Sequence, residues 1–116
     1  MRIGIVGSRR RADRGTVVAC IAELAPETVV VTGGARGPDR WAETAARARG
    51  LGVVVHKPDL GEVRTRWRVI DCYYARNQAI VDGSDRIIAF VAPERTGGTE
   101  DTIRRAERAG KPVEVR

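Results

Sequence analysis

Residues 28–43 read TVVVTGGARGPDRWAE, and this stretch decides the fold. Its β-branched run, Thr28 to Val31, predicts a buried strand that stops at Gly33 and Gly34. Pro38 suits the first position of a helix, because its missing N–H group is not needed there. The stretch therefore predicts one β-α unit with a glycine-rich turn between its two elements.

The same alternation runs through the rest of the 116-residue chain. Short apolar runs predict strands at 2–6, 28–31, 52–56, 85–91 and 112–115. Apolar residues at helical spacing predict helices at 13–25, 38–49, 71–82 and 99–109. Residues 57–70 fit neither pattern, and an irregular connection of that length is usually functional.

Repeated β-α units with nearly continuous apolar strands favour a parallel sheet covered by helices on both faces. We predict an α/β fold: one three-layer Rossmann-like domain over residues 1–116, with a mainly parallel sheet of about five strands. Periodicity leaves a flavodoxin-like strand order open, because strands in either order are buried alike.

Composition limits the class of protein. Apolar residues make up 42% of the chain and charged residues 31%, which excludes a disordered polar tract. No apolar run is long enough to span a bilayer, and the first residues lack a signal-peptide pattern. We expect a soluble cytoplasmic protein. The net charge of +6 favours a polyanionic partner, although an arginine-rich surface can also carry no function.

Several kinds of chemistry are disfavoured. His56 is the only histidine, and it is accompanied by two scattered cysteines, Cys20 and Cys72, so no metal site is predicted. The dinucleotide and P-loop glycine signatures are absent, and so is a serine nucleophile elbow. We predict no cofactor.

Glycine-rich turns are the strongest functional signal. Gly7-Ser8-Arg9, Gly33 to Gly37 and Thr96 to Thr99 each follow a predicted strand and precede a helix. In a parallel sheet such turns share the carboxyl edge, where free N–H groups at helix starts favour an anion. Arg36 adds a guanidinium, and Ser8 and Thr99 add hydroxyls. The alternative is that the glycines only make tight turns.

Acidic residues near these turns have two interpretations. Asp39 either complements the dipole of its helix or contacts a ribose or Arg36. Glu100 and Asp101 stabilise the start of the last helix, yet they would repel a phosphate placed close by.

Basic residues form two groups, which are Arg9, Arg10, Arg11 and Arg14, and Arg64, Arg66 and Arg68. Trp67 lies within the second group, and Tyr73 and Tyr74 follow it. Arginine with aromatic residues is typical of surfaces that bind single-stranded nucleic acid. The alternative is that Trp67 and a tyrosine cover the core edge or form a dimer contact.

Four motifs, IVGSRR, VVTGGARGPDRWAE, ARNQAIVDGSDRIIAFV and GGTEDTIRRAERAGKPV, resemble the SLOG superfamily, and its YspA-type branch most of all. This superfamily includes the LOG phosphoribohydrolases, or lysine-decarboxylase-like proteins, and the DNA-processing protein A family. The resemblance implies a nucleotide-ligand site lined by Gly7, Ser8, Arg9, Gly33, Gly34, Arg36, Gly37 and Asp39. It also implies a homodimer or higher homo-oligomer.

The resemblance further places Arg76 and Asn77 where the LOG enzymes keep a catalytic arginine. Gly98 and Thr99 match the Gly-Thr pair of the LOG glycine motif, and Gly97 precedes Gly98. Thr102 stands at the position of the catalytic glutamate of that motif.

Three hypotheses follow. The first is binding of a nucleotide or nucleotide-derived ligand, with phosphate at the glycine turns and Arg36, and ribose at Asp39 or Asn77. The second is a phosphoribohydrolase in which Arg76 orients phosphate and Glu100 or Asp101 assists water. The third is binding of single-stranded DNA.

Overall fold

The computed structural model of the chain describes residues 1–61 and 65–116. The strands are β1 (Arg2–Gly7), β2 (Val29–Thr32), β3 (Gly52–Val55), β4 (Arg86–Phe90) and β5 (Val113–Val115). The helices of the described residues are α1 (Arg14–Ala22), α2 (Pro38–Ala48), α3 (Arg66–Asp82) and α4 (Gly98–Arg108). Strand and helix alternate along these elements, as the sequence predicts.

The strands form one sheet in the order β3-β2-β1-β4-β5, and every pair is parallel. The chain first builds outward from β1 to β3 and then returns to the other side of β1 to build β4 and β5. This is the order of a Rossmann sheet, so the flavodoxin-like alternative does not apply. Strand order reverses between β1 and β4, and parallel sheets bind ligands at the carboxyl end of such a reversal.

Helices cover both faces of the sheet, which confirms the three-layer prediction. One core lies under α1 and α2, where Val17 and Ile21 pack with Ala42 against the sheet. The other lies under α3 and α4, where Ile80 and Ile103 pack against it. No helix among the described residues combines the length and the apolar character needed to cross a membrane.

The start of α3 differs from the prediction. This helix begins at Arg66 rather than Asp71, so the last part of the predicted irregular connection is helical. Thr65 caps it, because its side chain accepts a hydrogen bond from the Arg68 N–H at 3.4 Å. Residues 62–64, which include Arg64 of the second basic group, lie outside the described residues.

Candidate ligand-binding cleft

A cleft of about 640 Å³ opens at the carboxyl end of β1 and β4, within the range of small-molecule sites. Its walls are the turn after β1, the loop after β4, one face of α3 and the start of α4. Of the predicted site residues, it brings together Gly7, Ser8, Arg9, Asp39, Arg76, Asn77, Gly97, Gly98, Thr99 and Asp101. The cleft thus lies at the reversal of strand order.

Other predicted site residues do not line the cleft: Gly33, Gly34, Arg36, Gly37 and Glu100. Arg36 is exposed. Gly37 instead packs the turn after β2 against the turn after β1, since a Cβ built on it would lie 3.4 Å from the Ser8 carbonyl oxygen. The two glycine turns therefore meet, and the second reaches the cleft through Ala35 rather than through its glycines.

The Asp39 carboxylate places a negative charge of the protein itself in the turn after β2. Its carboxylate is buried and accepts a hydrogen bond from the Gly33 N–H at 3.0 Å. Arg76 contacts the same glycine, since its Nη1 donates to the Gly33 carbonyl oxygen at 2.6 Å. Asp39 therefore lies with Arg76 and not with Arg36, the partner that its sequence position suggests.

The surroundings of Asp39 shift the pKa of its carboxyl group. Burial raises the pKa of this carboxyl to about 6, against the opposing effects of the Gly33 amide and the Arg76 charge. Burial likewise lowers the pKa of the Arg76 guanidinium, and the Asp39 carboxylate opposes that change. The buried carboxyl and the half-buried guanidinium therefore influence each other's ionisation across the turn after β2.

A chain of polar contacts joins α3 to α4 beside this pair. Arg76 Nε donates to Asn77 Oδ1 at 3.0 Å, and Asn77 Nδ2 donates to Asp101 Oδ2 at 3.0 Å. Asp101 also accepts from Arg105 Nε at 2.7 Å. Burial acts to raise the pKa of Asp101, but the hydrogen bonds from Arg105 and Asn77 outweigh it and hold that pKa below its ordinary value. Asp101 is therefore a paired carboxylate.

The start of α4 is open toward the cleft. Its N-cap is Gly97, with φ of 92°, and no side chain caps this end. The first N–H groups of a helix have no partner within it, and here Gly98 and Thr99 line the cleft. The amides and the helix dipole together suit an anion.

The predicted repulsion of a phosphate by Glu100 is offset by Arg95. Arg95 Nε and Nη2 both donate to the Glu100 carboxylate, and Arg95 Nη2 lies 3.2 Å from Glu100 Oε2. Arg95 adopts a left-handed φ of 49°, which is rare for a residue with a side chain. The cleft lining is positive, because it holds four arginines (Arg9, Arg10, Arg76 and Arg104) against three carboxylates (Asp39, Glu94 and Asp101).

Two arginines of the first basic group, Arg10 and Arg11, form contacts within the protein itself. Arg11 lies outside the cleft lining and donates hydrogen bonds to the Val91 and Arg116 carbonyl oxygens at 2.9 and 3.0 Å. Arg10 pairs with Glu94 at 3.0 Å. Trp67 is 77% exposed, so the idea that it covers the core edge is wrong for the chain alone.

Ile70 was not predicted as a site residue, and Tyr73 and Tyr74 were predicted only for a nucleic-acid-binding surface and not for the α3 wall of the cleft. Ile70, Tyr73 and Tyr74 line it together with Asn77. Residues three and four apart on a helix share a face, so the spacing of Ile70 and Tyr73 from Asn77 was the available signal. It was lost because the predicted helix began after Ile70.

The fold and the cleft together define a Rossmann-type α/β domain with a positive site at the reversal of strand order. The chain belongs to the YspA, cpYpsA-related SLOG family, whose model matches residues 1–63. It is 36% identical over 121 residues to the Gene 61 protein of Mycobacterium phage D29, covering 97% of this chain and 93% of that protein. The family assignment confirms the resemblance found in the sequence.

Two solved structures share the fold. DNA processing protein A (DprA) from Streptococcus pneumoniae superposes with a TM-score of 0.77 at 24% identity, over 98% of this chain and 49% of that one. The structural genomics target TM1055 superposes with a TM-score of 0.67 at 19% identity, over 97% of this chain and 71% of that one. The chain thus spans about half the length of the DprA structure.

Proposed function

We propose that the protein binds a nucleotide or nucleotide-derived molecule in the cleft, with a phosphate group at the start of α4. The observation that carries the proposal is the uncapped start of α4 facing the half-buried Arg76 across the cleft. Backbone amides and a guanidinium are the two groups that hold phosphate most often in proteins.

The ligand's phosphate is assigned to α4 rather than to the turn after β2. Asp39 already occupies the latter turn and accepts the Gly33 N–H. The Gly98 and Thr99 amides have no such internal acceptor from a capping side chain. Arg9 and Arg76 both line the cleft, so both charges act on the same space.

The α3 wall provides a surface for the base. Ile70 and Tyr73 line the cleft, and the Arg76 guanidinium lies 5.4 Å from the centre of the Tyr73 ring. A purine or pyrimidine stacks well on such a surface, because its flat face is apolar and polarisable. The side-chain amide of Asn77, by contrast, already donates hydrogen bonds to Asp101 and to the Gly98 carbonyl oxygen.

The site favours binding over N-glycosidic cleavage. Hydrolysis needs a carboxylate free to activate water. Glu100 is paired with Arg95 and does not line the cleft, and Asp101 is paired with Arg105 and Asn77. Thr102 donates its hydroxyl to the Gly98 carbonyl oxygen at 3.1 Å.

Gly98→Ala tests the phosphate position. A Cβ built on Gly98 meets nothing within 4 Å, so the variant folds, but its methyl group enters the space beside the α4 amides. We expect AMP affinity to fall by roughly tenfold, as for the loss of one or two charge-assisted hydrogen bonds, with adenosine affinity unchanged. Isothermal titration calorimetry with AMP, ADP-ribose and adenosine measures both.

Gly15→Ala is the matched control. Gly15 lies in the first turn of α1, on the other face of the sheet, and its Cβ also meets nothing within 4 Å. This variant should bind AMP like the unaltered protein. The proposal fails if no nucleotide binds, or if Gly98→Ala leaves AMP affinity unchanged. Release of free adenine from AMP would instead establish the hydrolase.

A further inference from the structure

Three exposed arginines lie at the carboxyl edge of the sheet, where the cleft opens. Arg9 belongs to the turn after β1, Arg36 to the turn after β2, and Arg40 to the first turn of α2. None of the three forms an ion pair with another described residue. Arg9, Arg36 and Arg40 are called the outer arginines below.

The outer arginines continue the wall of the cleft. Arg9 lines the cleft, and so does Ala35, which directly precedes Arg36. Gly37 packs the two turns together, since a Cβ built on it would lie 3.4 Å from the Arg9 Cα atom. Arg40 follows Gly37 by three residues, within the first turn of α2. The three side chains therefore start from neighbouring points of the backbone beside the cleft.

The acidic residues next to the outer arginines in sequence are engaged elsewhere. Asp39 is buried and accepts the Gly33 N–H. Glu43, one turn further along α2 than Arg40, pairs with Arg47 at 3.2 Å. Positive charges that lie close together without acidic partners favour an anion between them. A guanidinium holds two phosphate oxygens with parallel hydrogen bonds, so a phosphate group suits this surface well.

We propose that the nucleotide carries a chain of two or three phosphate groups and that the outer arginines bind the phosphates beyond the first. This inference rests on the proposed function, which assigns the first phosphate to the start of α4. In the strand order β4-β1-β2 the turns that follow these strands lie side by side, about 5 Å from one to the next. A phosphate chain that leaves α4 toward β2 passes Arg9 first and then meets Arg36 and Arg40.

The surface suits a phosphate chain better than a strand of nucleic acid. Surfaces for single strands combine a basic groove with aromatic side chains on which successive bases stack. The exposed large aromatic side chains of the described residues, Trp67 and Tyr74, both belong to α3 and not to the turns that hold the outer arginines. The outer arginines therefore provide charge for phosphate without a surface for further bases.

Titration calorimetry with AMP, ADP and ATP, in the presence of EDTA, tests the inference. We expect ATP to bind roughly tenfold or more tightly than AMP, with ADP between them, since the added phosphates gain charge-assisted hydrogen bonds. Arg36→Ala and Arg40→Ala should each lower ATP affinity by roughly threefold or more. Both should leave AMP affinity unchanged, because the single phosphate of AMP stays at α4.

Arg108→Ala is the matched control. It removes the same charge from an exposed position at the end of α4, at the opposite edge of the sheet. It should leave the preference for ATP over AMP intact. If it lowers ATP affinity as much as Arg36→Ala does, the whole basic protein and not the outer arginines attracts ATP, and the inference is overturned.

Two further results separate this inference from the proposed function. Equal affinities of the unaltered protein for AMP, ADP and ATP would overturn the inference alone, because AMP still binds. Absence of binding by all three nucleotides would overturn both. A short single-stranded oligonucleotide that binds more tightly than ATP, and loses this advantage in Arg36→Ala, would assign the outer arginines to nucleic acid instead.

Discussion

Asp39 and Arg76 show that the partner of a charged residue is set by the fold and not by its neighbours in sequence. Asp39 follows Arg36 by three residues, and the sequence offers Arg36 as one possible partner beside a ribose and the helix dipole. The turn after β2 instead directs Asp39 inward to the Gly33 amide, where Arg76 arrives from α3. A Cβ on Gly33 would lie 2.6 Å from Arg76 Nη1 and 3.0 Å from Asp39 Oδ2, so a larger residue there would displace the Arg76 guanidinium.

Asp39→Asn should remove a pH dependence of stability. Burial raises the pKa of the folded-state carboxyl to about 6, above the roughly 3.9 of an unfolded chain. The folded protein therefore binds this proton more tightly, and it loses about 3 kcal/mol of stability as the pH rises from 4 through 6. Asparagine keeps the acceptor for Gly33 but carries no charge, so the free energy of unfolding should be flatter across this interval.

Urea unfolding at several pH values between 4 and 7.5 measures the free energy of unfolding of the unaltered protein and of Asp39→Asn. Asp13 and Asp101 have pKa values below the ordinary range, so their stabilising effects are lost only at lower pH. A variant whose stability changes as steeply as that of the unaltered protein would show that Asp39 is not the group responsible.

At the scale of elements, the sequence places the strands and three of the four helix starts of the described residues to within one residue, but it misplaces the start of α3. The β-branched runs at Val29 and Val53 locate β2 and β3 almost to the residue, because buried parallel strands need continuous apolar side chains. The start of α3 carries no acidic residue in its first turn, and its Arg66-Trp67-Arg68 segment has no apolar period. The capping contact of Thr65 becomes visible only with the backbone in place.

The contact of β1 with α2 depends on Gly7. A Cβ at this position would lie 2.5 Å from the Pro38 ring and 3.0 Å from the Phe90 carbonyl oxygen. Neither neighbour is a flexible chain end, so Gly7→Ala should cost about 1–3 kcal/mol of stability through overpacking. Denaturant unfolding compares it with Gly15→Ala, which has open space around it and should be neutral or slightly stabilising. Equal stabilities of the two variants would contradict this role of Gly7.

At the scale of the whole molecule, strand order was beyond the reach of periodicity, because every strand is apolar whichever neighbour it has. Arg11 illustrates how distant parts are joined. It follows β1, yet it donates to carbonyl oxygens at the ends of β4 and β5 and stacks 5.6 Å from the centre of the Phe90 ring. Its place in the first basic group suggested a surface that binds nucleic acid instead.

Arg11→Ala should destabilise the protein by about 2–3 kcal/mol, because two carbonyl groups lose a charged donor and Phe90 loses its stacking partner. Arg14→Ala, at an exposed position three residues later, should change stability by less than about 0.5 kcal/mol. Chemical denaturation of both variants supplies the comparison. Similar losses in the two would mean that Arg11 contributes only as a surface charge.

The carboxylate of Asp39 has a consequence for the proposed binding of a nucleotide. The turn after β2 already holds this carboxylate through the Gly33 amide, so the side of the cleft that Ala35 and Asp39 line is ordered by folding itself. Association then needs little rearrangement of β2 or α2, and the entropy of ordering this turn is lost during folding rather than on binding. Apo and liganded forms should accordingly superpose closely there, with whatever adjustment occurs confined to the loop that leads into α4.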